Sequence, residues 1–135
     1  MLEFIQFLIV AVIVGGMVTF QILFAPLIFI KLPNDVARPF IRKFFPFYYL
    51  YFGLLSIALC GVSYLLLEQS FGTTLFAAFV ITAVGFIVSR QIFMPLANRA
   101  TDQDRQADFT KYHRITVLIN TVQLVTMIVA LWLLT

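Results

Sequence analysis

Charge is scarce in this chain, and the places that lack it are informative. Only 11% of its 135 residues are charged, against about 25% in a soluble domain. No Lys or Arg precedes the first apolar run, none separates the second from the third, and none follows the last. No acidic residue lies inside an apolar run, and Glu3 and Glu68 stand at run ends. That argues against a carboxylate-based proton or cation relay across a bilayer. A single cysteine, Cys60, excludes a disulfide within one chain. A single histidine, His113, offers one axial ligand, so bis-histidine haem would need a dimer sharing the haem. Nucleotide loops, serine triads and zinc signatures are absent, and no catalytic residue is assigned.

What the chain does have is apolar length. It is 62% hydrophobic, with a mean hydropathy of +1.03. One compact unit fits in 135 residues, and most of it must face lipid. All nine basic residues fall in two segments. Lys31, Arg38, Arg42 and Lys43 follow the first apolar run; Arg90, Arg99, Arg105, Lys111 and Arg114 surround the gap after the third. This is the positive-inside pattern of a polytopic membrane protein. It predicts that loops 31–46 and 95–114 are cytoplasmic and both termini periplasmic. Short loops favour a bacterial inner membrane. The net charge of +3 is accounted for by topology, so nucleic acid is not an expected partner.

Four spans of roughly 20 residues or more are predicted, at about 4–30, 47–67, 71–94 and 115–134. The first run is too long for a cleaved signal peptide and has no basic n-region. The expected fold is all-α: one antiparallel four-helix transmembrane bundle forming a single domain over 1–135. Glu68–Ser70 makes a tight hairpin. Between spans one and two, Phe40, Ile41 and Phe44 recur at helical spacing with Arg38 and Arg42 opposite. Pro39 suits a first turn, so a separate short amphipathic helix is expected in the interface. The polar gap Leu96–Tyr112 should extend the third span as a helix before turning back. No internal repeat is evident.

Small residues mark faces where membrane helices approach closely. Gly53, Ser56, Cys60 and Ser63 form such a stripe on the second span, and Thr82, Gly85 and Ser89 on the third. Gly15 and Thr19, with Gly16 adjacent, form one on the first. Cys60 reads as a packing residue. Pro26 should distort the first span, freeing the Ile22 carbonyl.

Polar residues are few and aligned. His113, Thr116, Asn120 and Gln123 are spaced by 3, 4 and 3, which places them on one face of the fourth span. An amide deep in a bilayer must face protein or water. Gln21, Arg90 and Gln91 fall at comparable depth, and Tyr48 and Tyr49 open the second span on the same side. Two readings stand. One is interhelical hydrogen bonding, worth about 0.6 kcal/mol per bond. The other is a cytoplasm-facing polar cavity that binds a ligand through Gln21, Tyr48, Arg90, His113, Thr116, Asn120 and Gln123.

Some of these stretches resemble a known family. Gly16-Met17-Val18-Thr19-Phe20, Ala25-Pro26-Leu27-Ile28-Phe29 and Leu32-Pro33 look like the start of the transmembrane-protein-205-like family. Lys43-Phe44-Phe45-Pro46-Phe47-Tyr48-Tyr49 and Phe109-Thr110-Lys111-Tyr112-His113-Arg114, with Asn120 beyond, are similar to it as well. Weaker agreement surrounds Arg90 and Pro95. The resemblance implies a small four-span membrane protein. A eukaryotic member is associated with resistance to platinum drugs, which implies metal or drug handling. This chain departs from that with one cysteine and four methionines. The layout alone also resembles small copper-resistance-D and haem-maturation membrane proteins.

Three functions compete. The first is binding or translocation of a small solute through the polar cavity. The second is a non-enzymatic accessory or assembly subunit of a larger membrane complex. The third is a haem- or metal-binding protein using His113, although no metal set has ligand spacing and no cofactor is the base expectation. The lipid bilayer is the certain partner; a homo-oligomer or a larger complex is compatible with the chain.

Overall fold

The computed structural model covers residues 1–135. Four helices form it, with no strand: α1 Leu2–Lys31, α2 Asn34–Tyr64, α3 Gly72–Asp102 and α4 Gln106–Leu133. Each is long and apolar enough to cross a membrane, and the chain is an integral membrane protein. The helices run alternately up and down. α1 packs on α2 and α4, and α3 packs on the same two. Val10, Ile13, Met17, Leu59, Phe79, Phe86 and Met127 are fully buried between them. Leu8, Ile22, Leu54, Ile81 and Leu118 are exposed, as lipid-facing residues should be.

The expected separate interfacial helix is instead the first part of α2. A 31-residue helix is about 46 Å long, well beyond a hydrocarbon core of about 30 Å. Its N-terminal turns therefore project past the apolar layer at the basic end. Pro39 and Pro46 lie inside this helix, where each proline is expected to cost about 3 kcal/mol. An aromatic clamp holds the helix together around Pro46. The Phe20 ring of α1 sits 5.1 Å from both Phe44 and Tyr48 and 5.7 Å from Phe45, between centroids. Such pairs contribute about 0.5–1.5 kcal/mol each, so three together offset the proline.

Pro26 does distort α1, by a defined route. Phe20–Phe24 is π-helical, and the Ala25 N–H donates to the Phe20 carbonyl five residues back. Widening this turn moves aside the carbonyl that the Pro26 ring would strike. α3 repeats the device: Ser89–Phe93 is π-helical, the Met94 N–H donates to Ser89, and Pro95 follows. Aligned on the turn and the proline, Phe24-Ala25-Pro26 and Phe93-Met94-Pro95 correspond. The chain thus uses one local motif twice, in its two parallel helices, although no longer repeat is visible in sequence.

At the other end α2 and α3 join through residues 65–71. Phe71 takes a left-handed conformation, φ 61°. A Cβ on Gly72 would lie 2.5 Å from the carbonyl oxygens of Leu66 and Leu67. Only glycine permits that turn to close so tightly. At the basic end Arg42 of α2 grips Asp102 of α3 with two bonds of 2.6 and 2.8 Å. Both side chains are exposed, beyond the apolar stretch, and the guanidinium holds the Asp102 carboxyl below the usual carboxylate range.

Candidate binding site

The face of α4 that carries the polar stripe does turn toward the other helices at Thr116 and Gln123, which are buried. The Tyr48 hydroxyl of α2 donates to Asn120 Oδ1 at 3.2 Å. One turn further toward the basic end, the Tyr49 hydroxyl faces Thr116, and the Thr116 hydroxyl donates to the His113 carbonyl at 2.8 Å. Deeper in, Gln123 Nε2 donates to the Thr82 carbonyl of α3 at 2.8 Å. Gly85 makes this possible, because a Cβ there would stand 2.7 Å from that same nitrogen. Gln123 Oε1 and the hydroxyls of Thr82 and Ser89 are buried without partners.

The remaining candidates behave differently. Arg90 Nε donates to the Pro46 carbonyl at 3.1 Å, which ties α3 to α2. Gln21 lies within the π-helical turn of α1, its amide nitrogen buried and unpartnered. His113 is exposed, and its ring stacks on Phe109 at 5.7 Å and 9°. No three His, Cys, Asp or Glu side chains gather as a metal-binding group. The layer therefore supplies hydroxyl and amide hydrogen bonds, without a carboxylate, thiol or imidazole beside them. It can orient and brace, but it assembles no nucleophile with a base.

The large cavity lies elsewhere, between α1 and α2. It encloses about 580 Å³, within the range of about 300–1,000 Å³ typical of ligand pockets. Gly15, Thr19, Phe24 and Ile28 line it from α1; Phe40, Phe44 and Tyr51 line it from α2. Of the seven candidate residues only Tyr48 reaches it. Arg90 lines a smaller cavity of about 90 Å³ between α2 and α3. In the small-residue stripe of the first span, Gly15 and Thr19 are thus groove wall, whereas Gly16 is packed, since a Cβ there would stand 2.8 Å from the Phe52 ring. Gly15 and Thr19 are exposed, and nothing stands within 4 Å of where a Gly15 Cβ would be. On α2 the stripe's opposite number is bulky, and the aromatic rings keep the two backbones apart.

Tyr48 connects the two features. Its ring packs against Phe20, Phe44 and Phe52 in the groove wall, while its oxygen binds Asn120 on α4. The sequence pattern assigned Tyr48 to a polar cavity and missed the aromatic wall that its ring joins. The signal was present: Phe20, Phe24 and Ile28 recur every fourth residue, as do Phe40, Phe44 and Tyr48. Two such stripes on consecutive antiparallel helices face each other.

The profile of a family described as a domain of unknown function (DUF4149) matches residues 8–106. The chain belongs to that family. The DUF4149 match takes in α1, α2 and α3, and with them every residue of the groove. His113, Thr116, Asn120 and Gln123 lie beyond it. No curated protein and no solved structure matches the chain.

Proposed function

We propose that this membrane protein binds a small apolar or amphiphilic solute, admitted sideways from the bilayer into the α1–α2 groove. The observation that carries this reading is the cavity of about 580 Å³ between α1 and α2, much larger than the cavity of about 90 Å³ beside Arg90. Solute binding is the role the polar stripe first pointed to. In this reading Tyr48 forms part of the wall and Asn120 braces it from behind. Resemblance to the transmembrane-protein-205-like proteins supports a role in handling small molecules. The distribution of Lys and Arg supports a cytoplasmic basic end, periplasmic termini and a bacterial inner membrane.

Native mass spectrometry of protein extracted from its own membrane in mild detergent tests the proposal. Wild-type protein should retain a small molecule that Gly15→Leu loses, because the leucine projects into the groove from a position where even a Cβ meets nothing within 4 Å. A wild-type protein that retains nothing, or a Gly15→Leu protein that retains the same molecule, would overturn the groove as the site.

A further inference from the structure

The groove's ends say what kind of amphiphile fits. Its wall on α1 runs from Ile28 to Gly15, thirteen residues or roughly 20 Å of helix. One leaflet of hydrocarbon is about 15 Å deep, half of a core of about 30 Å. Gly15 lies midway along α1 and Ile28 near its basic end. The groove therefore follows one leaflet, from the interface to the bilayer centre.

Two lysines flank the interfacial mouth. Lys31 follows Phe24 by seven residues and Ile28 by three, so it continues their face of α1. Lys43 lies three residues after Phe40 and four before Phe47, both groove residues. Both lysines are exposed, and neither joins a salt bridge, whereas the nearby Arg42 is held by Asp102. Asp35 is the only carboxylate between Lys31 and Pro46. The groove thus joins an uncharged aromatic channel to a cationic rim at headgroup depth.

We infer that the occupant is an anionic glycerophospholipid, with one acyl chain along the groove and its phosphate between Lys31 and Lys43. This rests on the groove being the binding site. Charge complementarity separates it from a second copy of the chain, whose own basic end would be brought against this one in a parallel dimer.

The test is photolabelling in phosphatidylcholine vesicles. Wild-type protein is reconstituted with trace phosphatidylglycerol or phosphatidylcholine carrying a diazirine in one acyl tail. Cross-links are then mapped to peptides. Phosphatidylglycerol should label the groove residues Phe24, Phe44 and Tyr51 in excess. Gly15→Leu should abolish that label. Lys31→Gln with Lys43→Gln should reduce the excess by about fivefold per lysine, with the chain still inserted. Equal groove labelling by the two lipids would overturn the headgroup assignment and leave the groove as a binding site. No groove labelling by either lipid would overturn both.

Discussion

Helix α2 meets α3 through small residues and meets α1 through large ones. Toward α3 it presents Gly53, where a Cβ would stand 3.6 Å from Phe86, and Ser56 and Ser63 of the same stripe are buried. Toward α1 it presents Phe44, Tyr48 and Phe52, which hold a gap open opposite Gly15 and Thr19. Small residues on one helix are therefore not enough for close packing. In lipid no solvent pressure closes a gap between helices, since acyl chains are as apolar as side chains. Contact forms where shapes interlock, and a space left over can hold a molecule from the bilayer.

The largest expected effect sets the open groove wall against a closed contact, that of α3 on α4 at Gly85. Gly85→Leu must displace the Gln123 amide, whose nitrogen is 2.7 Å from the new Cβ. It should destabilise the bundle by about 1–3 kcal/mol, read as a lower unfolding midpoint in detergent. Gly15→Leu should unfold within about 0.5 kcal/mol of wild type. Equal midpoints for the two variants would show that the groove wall at Gly15 is packed no more loosely than the α3–α4 contact at Gly85.

A smaller effect belongs to the link between the groove wall and α4. A double-mutant cycle on Tyr48→Phe and Asn120→Leu should give a coupling of about 0.6 kcal/mol. Zero coupling would detach Asn120 from the groove. The smallest effect is at the basic end. Asp102 is depressed by Arg42, so the ion pair contributes above the ordinary carboxylate pKa and is lost as pH falls through the lowered one. Wild type should be slightly more stable than Arg42→Gln at neutral pH, and the difference should begin to fade near the ordinary carboxylate pKa of about 4 and vanish only below the lowered one. A difference that persists in acid would assign Arg42 another partner.

Much of the architecture was legible because hydropathy acts over whole spans. Four runs long enough to cross leave few alternatives to an up-and-down bundle. The stripes Gly53-Ser56-Ser63 and Thr82-Gly85-Ser89 were readable for a similar reason, since their periodicity is a property of one helix. The continuity of α2 was not legible. Pro46 locally argues for a break, and the clamp that overrides it comes from Phe20, a residue of another helix. The polar stripe was legible as a face but not as a site. His113 shares that face by spacing, yet it sits exposed on Phe109, while Arg90 and Gln123 are each taken up by a backbone carbonyl of a different helix.

Composition and spacing alone determined that this chain spans a membrane four times, which ends carry the charge, and which side of each helix is polar or small. These follow from the water-to-lipid transfer cost of single residues and from the 3.6-residue turn. Only the tertiary structure decided which faces meet. Whether a small residue is covered by a neighbouring side chain, as Gly53 is by Phe86, or left open beside a ridge of rings, as Gly15 is, depends on the shapes of two helices together. That difference turned a predicted contact into a groove.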